Sequence, residues 1–380
     1  MSKDESLRHD IITSTAELDD LADKLEREAV IGVDLEADSM FHFQERVCLL
    51  QISIPGRNVV VDTVKLPDLS ALKSVFRDPQ IKKVFHGADY DVRSLYRDFD
   101  IRINNLFDTQ LACLFLGFTE TGLEAVLKNL FAVTLNKKFQ RKDWSRRPLP
   151  KDMLDYAVSD VRYLAPLAER LEQELQEKGR LAWVVEECRV LSKVRPTVSD
   201  GTQLFLNCKG AGRLDPRGLA VLEELLAFRR DIARAKDRPL FKVFSHETLL
   251  ALADARPAHA ADLEKAGVLS PAQMERYGRD ILSAVKVAMH LPAAQLPRYP
   301  RRRPQAVSAA ASERIQRLRR WRETQGRRLK IEPALVCSKA AMMAIALRKP
   351  AKPEDLTDVA ELRPWQRKVF GKDIVAVLKK

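Results

Sequence analysis

Ala29-Val-Ile-Gly-Val-Asp34-Leu35-Glu36 is the stretch on which the reading of the fold turns. Residues 29–35 are apolar and β-rich, the pattern of a buried strand. Asp34 and Glu36 stand at i and i+2, so both side chains leave one face of that strand. Two carboxylates after a buried run suit a hard cation. Solvated strand ends carry the same triplet, so the pattern alone leaves both readings open. Working outward, Val47–Ile54 and Asn58–Asp62 are further strands around a Pro55-Gly56 turn, which implies antiparallel pairing. Ile81–Phe85 and Asn105–Asp108 follow as shorter strands, separated by helical periodicity at Leu69–Arg77 and Val92–Asp98. Ser14–Glu28 and Leu123–Leu130 also read as helices. Later strands separated by helices imply parallel crossovers. The expectation is a mixed α/β sheet with flanking helices, closed by one long helix over Lys151–Lys178.

The remainder of the chain reads as helix and repeats itself at an offset of 93 residues. Phe228-Arg229 answers Trp321-Arg322, Ser245 answers Ser338, and Pro257 answers Pro350. Gly278-Arg279-Asp280-Ile281 answers Gly371-Lys372-Asp373-Ile374. A single gapless offset held this long marks a duplicated helical bundle. The expected domains are 1–194, 210–290 and 313–380. Between the last two, 291–312 is rich in Pro, Ala and Arg and reads as a linker. A fragment ending near Val194 is expected to fold alone.

A length of 380 residues predicts two or three domains. Hydrophobic residues at 46% and charged residues at 31% exclude a disordered or fibrous chain. No apolar run approaches the roughly 18 residues of a membrane span. The start, MSKDESLRHD, has acids where a signal peptide needs an apolar core. Five scattered cysteines without a CxxC pair argue against disulfides and structural zinc. The expected setting is cytoplasmic. Net charge is +17 over 201–380 and −5 over 1–200. A basic half attracts polyanions by counterion release. An acidic half can host a cation site.

Two more segments carry chemistry. Tyr156 and Asp160 are spaced i, i+4 and share a helix face, so phenol and carboxylate can reach one point. An exposed Asp beside a half-buried Tyr is the plainer reading of that pair. In His86-Gly-Ala-Asp89-Tyr90-Asp91, Asp89 is placed to cap the next helix and Asp91 lies in its first turn. His86 reads as a hydrogen-bonded structural residue.

Taken in order, Asp34, Glu36, Asp91 and Asp160, with Tyr156, resemble the DEDDy signature of the 3′–5′ exonuclease superfamily, whose fold is RNase H-like. Gln140-Arg-Lys-Asp143-Trp144-Ser-Arg146-Arg147-Pro148-Leu149, followed by Leu154-Asp-Tyr156-Ala…Asp160-Val-Arg-Tyr163-Leu164, resembles the corresponding run of the ribonuclease D family. Phe107-Asp108-Thr109 matches another family segment, and the duplicated helices resemble paired HRDC modules. The resemblance implies a metal-dependent hydrolase that removes nucleoside 5′-monophosphates from RNA 3′ ends, and no organic cofactor. Two divalent ions, Mg²⁺ or Mn²⁺, about 4 Å apart, activate water and stabilise the leaving oxyanion in such centres. By resemblance, Asp34 contacts both ions, Glu36 and Asp160 hold the nucleophile-side ion, and Asp91 holds the other. Tyr156 orients the attacking water, since a phenol is a poor base at neutral pH.

In one place the chain departs from the family. Where bacterial relatives place D-T-E-F, this chain has Asp34-Leu35-Glu36-Ala37, closer to the nuclear-exosome subunit. Met40, Phe41 and Phe43 either replace the missing stacking ring or form a packing cluster. Arg146 and Arg147 are candidates for the RNA backbone. The run Arg298–Lys330, with 12 basic residues against Glu313 and Glu323, reads as a phosphate-tracking strip. The expected partners are tRNA precursors and other structured RNA 3′ ends. A DEDDy exonuclease acting on DNA, or a non-catalytic nucleic-acid-binding protein, are the alternatives.

Overall fold

The computed structural model describes residues 9–196, 202–300 and 308–379. They form two compact units. One comprises residues up to Ala37, then Val47–Pro196 and Gln305–Lys380; the other comprises Asp38–Arg46 and Thr197–Pro304.

The first unit opens with β1 (His9–Ile12) and α1 (Thr15–Leu25), whose capping box runs between Ser14 and Glu17. Then come β2 (Val30–Ala37), β3 (Val47–Ile54), β4 (Arg57–Val61), α2 (Lys73–Arg77), β5 (Lys82–Phe85), α3 (Asp89–Phe99), β6 (Leu106–Asp108), α4 (Thr109–Leu116) and α5 (Leu123–Phe131). The six strands lie in the order β1-β4-β3-β2-β5-β6. β2–β3 and β3–β4 pair antiparallel, while β1–β4, β2–β5 and β5–β6 pair parallel. This is the expected mixed sheet with one added edge strand, β1, too short and polar to stand out in the sequence.

The two sheet faces have different cover. Ile31, Val33, Leu35, Leu50, Ile52, Val59 and Val61 share a core with Leu18, Leu21 and Leu25 of α1. On the opposite face Leu49 and Val60 pack with Met153, Leu154, Ala157 and Val158. These last four lie on α6 (Lys151–Val161), which is followed by α7 (Leu164–Glu177) and α8 (Leu181–Leu191). The single helix expected over Lys151–Lys178 is thus two. Pro166 has no N–H to donate and its ring crowds the carbonyl four residues back, at Arg162, where the helix breaks.

Four helices form most of the second unit: α9 (Pro216–Ala235), α10 (His246–Ala255), α11 (Ala260–Ala266) and α12 (Pro271–Met289). Their core includes Leu222, Leu225, Phe244, Leu252 and Ile281. Residues 38–46 belong to this unit through Asp237, which accepts from Phe43 N–H at 3.0 Å and bonds His42 Nδ1 at 2.7 Å.

The second helical copy comprises α13 (Ala309–Leu329), α14 (Pro333–Val336), α15 (Lys339–Arg348) and α16 (Pro364–Lys379). α10 and α15 coincide at both ends under the 93-residue shift, and α9/α13 and α12/α16 coincide at their starts. Ser245 and Ser338 cap α10 and α15 identically. The linker expected over 291–312 ends earlier, because Ser308 caps α13; residues 301–307 lie outside the described ones.

The expectation of an autonomous 1–194 fragment is corrected here. The C-terminal copy shares one hydrophobic core with the six-stranded sheet, through Trp321, Ile345, Trp365 and Phe370. Trp365 stacks on Trp183 at 4.7 Å, its indole N–H donates to Glu187 and its backbone N–H to Glu186. Buried Arg180 donates to the carbonyls of both Phe115 and Leu329. A Cβ on Gly117, whose φ is +90°, would stand 2.1 Å from the Lys330 carbonyl oxygen. We predict that Trp365→Ala destabilises this unit by about 3–5 kcal/mol, the usual cost of truncating a buried aromatic. Urea unfolding followed by tryptophan fluorescence measures it; an unmoved midpoint would detach the C-terminal copy from the core of the sheet.

Candidate active site

Three carboxylates meet at the sheet face under α6. Asp34, Glu36 and Asp160 present oxygens that all lie within 4.8 Å of one another. β2 supplies the first two from one face, as its pleat requires. α6 supplies Asp160 and, one turn earlier, Tyr156. Gly32 sets the separation: a Cβ there would meet the Val161 carbonyl at 2.9 Å and Leu164 Cβ at 3.1 Å, so only glycine lets the α6–α7 junction settle on β2.

Asp91 lies outside the tight trio but within its field. It is buried in the first turn of α3, and the Asp34 charge acts on it. The expected capping of this helix by Asp89 is corrected: Ala88 is the N-cap, and Asp89, already inside the helix, pairs with Arg93 at 2.7 Å. Asp108 does the local work instead. Its carboxylate accepts from Gly87 N–H at 2.9 Å and Ala88 N–H at 2.8 Å, and it also caps α4 through Gln110 and Leu111. Its buried oxygens thereby brace the turn that presents Asp91. His86 bonds Thr109 Oγ1 at 2.9 Å, as a structural residue.

The carboxyls strain against each other's charge. Burial, then the charges of Asp34, Asp160 and Asp91, lift Glu36 well above the usual range. Burial, then Asp34 and Asp108, does the same to Asp91. Burial pushes Asp34 up to about 6, and burial with the Asp34 charge pushes Asp160 up to about 8. The Tyr156 phenol donates to Asp160, and burial, followed by the Asp160 and Glu36 charges, raises it above its ordinary value. It stays protonated at neutral pH, which excludes it as a base and leaves it a donor. An oxygen-only donor set without His or Cys fits a hard divalent cation, which would offset this repulsion.

Tyr156 is itself wedged between Trp144, at 6.0 Å, and Phe139, at 6.1 Å. Trp144 is held by its neighbour Arg147. Arg147 uses all five N–H donors within the fold: two go to Asp62, at 2.7 and 2.6 Å, and three to the carbonyls of Trp144, Arg146 and Cys48. Burial acts upward on Asp62, but the Arg147 guanidinium outweighs it and holds the carboxyl below the usual range. No donor on Arg147 remains for a phosphate. Arg146 is 81% exposed and, among the described residues, pairs with Asp143. Phe41 and Phe43 belong to the second unit, where Lys242 lies over one ring at 4.5 Å and Arg234 over the other at 5.5 Å. They are not brought beside the carboxylates within one unit.

The 3′–5′ exonuclease family matches residues 9–176, and the HRDC domain matches 218–285 and 311–378. Ribonuclease D of Granulibacter bethesdensis is 30% identical over 375 residues, covering 97% of this chain and 92% of that one. The chain belongs to the ribonuclease D family. It is therefore a 3′–5′ exoribonuclease. Escherichia coli RNase D shares the fold with a TM-score of 0.74 at 23% identity, over 98% of this chain and 99% of that one. The catalytic core of RRP6 from Trypanosoma brucei is 32% identical with a TM-score of 0.63, over 77% of this chain and 83% of that one. The likeness to ribonuclease D thus runs through both helical copies.

The carboxylate pKa values give a sign. Asp160 ionises less readily folded than unfolded, so its proton favours the fold. That contribution is whole below the unfolded value of about 4 and is lost as pH rises through about 8. In chelator, Asp160→Asn is therefore expected to melt at higher temperature than wild type at pH 8.5, with the gap closing towards pH 5. Thermal scans across that range decide it; a variant that melts lower at pH 8.5 contradicts the burial-driven shift.

Proposed function

We propose that the Asp34–Glu36–Asp91–Asp160 centre hydrolyses the 3′-terminal phosphodiester of RNA with two divalent ions, releasing nucleoside 5′-monophosphates. The observation that carries this reading is the trio of carboxylate oxygens within 4.8 Å, with Tyr156 donating into it. When bound, the ions supply charge for the developing oxyanion and a more acidic water. Asp34, whose charge acts on the other three carboxyls, would contact both ions, Glu36 and Asp160 would hold one with it, and Asp91, set apart from the trio, would hold the other. Tyr156, its one O–H given to Asp160, orients the attacking water without taking its proton. Arg146 is the substrate-facing member of the arginine pair, while Arg147 positions the Trp144 loop.

Structured 3′ ends such as those of tRNA precursors are the substrates we assign, in a cytoplasmic setting. Support comes from the basic helical copies and from five cysteines that are all free and buried. Among the described residues, no helix is long and apolar enough to cross a membrane. The functional domains are the exonuclease domain, 1–194, and HRDC-like copies near 210–290 and 313–380, with the basic linker between. Digestion of matched RNA and DNA oligonucleotides, with and without divalent metal, tests the function. Metal-dependent release of 5′-monophosphates from RNA is the expected result; equal or faster attack on DNA would move the chain to the DNA-specific reading.

Two variants probe the roles. Asp34→Asn is expected to abolish turnover while RNA affinity holds. Retention of more than about a tenth of the wild-type rate at saturating Mg²⁺, a loss under roughly 1.4 kcal/mol, would refute the two-ion role. Tyr156→Phe keeps the ring between Phe139 and Trp144 and removes only the hydroxyl, so a fall of about 10²-fold in kcat is expected. An unchanged single-turnover rate would make Tyr156 a packing residue.

A further inference from the structure

Gln51 is the one side chain on the active-site face of the sheet whose placement the chemistry above leaves unexplained. It sits in the middle of β3, in Val-Cys-Leu-Leu-Gln-Ile-Ser-Ile, where every neighbour on the strand is apolar up to Ser53. The side chain is 0% exposed. Neither its amide nitrogen nor its amide oxygen has a hydrogen-bond partner among the described residues. A buried polar atom left unpaired costs about 1–3 kcal/mol, so two on one residue need a compensating role.

Register shows what it faces. Gln51 is directly opposite Asp34 on β2 and opposite Val60 on β4. Cross-strand partners leave the same face, with Cβ atoms about 5 Å apart. Val60 packs with Met153, Leu154, Ala157 and Val158, so this is the face under α6, where the carboxylates converge. Leu49, two residues away, is opposite Glu36 and lies in that same apolar cluster. Next to Leu49, directly beside Asp34, the apolar floor of the site thus gives way to an amide.

We propose that Gln51 is a positioning residue of the centre: its amide holds the Asp34 carboxylate in the orientation that cation binding requires. This rests on reading the four carboxylates as cation ligands. A ligand carboxylate that turns one oxygen to the ion leaves lone pairs on the other, and an N–H donor anchored in the sheet satisfies them without adding charge. A lysine or arginine there would compete with the ion by charge. A water or a serine would be less firmly fixed than an amide locked in a close-packed strand. The unpaired amide thus has a partner to gain once the ionised carboxylate turns to a cation.

The test uses the full chain stripped with chelator. Gln51→Met, similar in length and unbranched, removes the amide and keeps the packing. Mn²⁺ affinity is read by electron paramagnetic resonance, fold stability by thermal scan, and kcat and KM on a single-stranded RNA oligonucleotide. A fall of about 10–100-fold in Mn²⁺ affinity and in kcat at limiting metal, with KM for RNA unchanged and the metal-free fold no less stable, is the expected result. Unchanged Mn²⁺ affinity overturns the proposal, whatever happens to kcat, because the role runs through the cation. Should Gln51→Met fail to fold, Gln51→Asn, which keeps the amide but draws it back by one methylene, is read the same way, with the same two outcomes. Asp34→Asn is the companion control. If it leaves Mn²⁺ affinity intact, the reading of the carboxylates fails; if it weakens Mn²⁺ while Gln51→Met does not, only the role of Gln51 fails.

Discussion

The contact on which the site depends is the approach of the Val161 carbonyl to the bare Cα of Gly32. A single methyl group there would collide at 2.9 Å. Because it is missing, α6 ends directly against β2, and Tyr156 and Asp160 come over the face that carries Asp34 and Glu36. Pro166 completes the geometry by breaking the helix just past that contact, so that α7 starts afresh at Leu164. The hydrophobic packing of Met153, Leu154, Ala157 and Val158 on Leu49 and Val60 then presses a row of acids together. Apolar burial is the favourable term, and the mutual repulsion of the carboxylates is the opposing one.

That opposition is functional. A centre already rigid around its repulsion loses little on reorganising when a cation arrives. The rigidity is visible in how the supports are themselves supported. Asp91 depends on a turn that Asp108 holds by two backbone N–H groups, and Tyr156 depends on Trp144, whose loop is fastened by Arg147 to Asp62. The bidentate Arg147–Asp62 pair has little exposure, at 17% and 6%, so it is poorly screened. The strong ion pair of this region holds the scaffold, while the neighbouring Arg146 stays exposed.

Much of the fold was legible because strand and helix periods were clean: β3 matches its sequence reading at both ends, and the strand bearing Asp34 and Glu36 is where the apolar run places it. The site was legible because i, i+2 on a strand and i, i+4 on a helix are geometric statements. What stayed hidden depends on partners far along the chain. The strand β5 was readable at Ile81–Phe85, but not that Lys83 is wholly buried in it, its ammonium donating to the carbonyls of Val75, Asp78 and Ile81. Asp108 reads as a strand end, and nothing local shows that it braces residues twenty positions earlier. Gln51 did leave a signal, as the one amide in an apolar strand. The membership of α13 to α16 in the exonuclease core was invisible, because repeat symmetry shows that two copies exist but not which surface each one seeks. The same left-handed corner, at Asp237 in one copy and Lys330 in the other, meets residues 38–46 in one unit and Gly117 in the other.

The shared core of the first unit has a consequence for the order in which the chain is made. Translation runs at about 5–20 residues per second, so the ribosome needs roughly ten to forty seconds to pass from Pro196 to the final helix. Throughout that interval the sheet and all five site residues are already outside, while the faces of Trp183 and Phe115 that Trp365 and Phe370 cover stand bare. Residues 197–304, by contrast, emerge after the 38–46 segment they pack with and can complete their own unit at once. The middle of the polypeptide therefore matures before its beginning. The first unit acquires its finished core only when the helix carrying Trp365 and Phe370 has emerged.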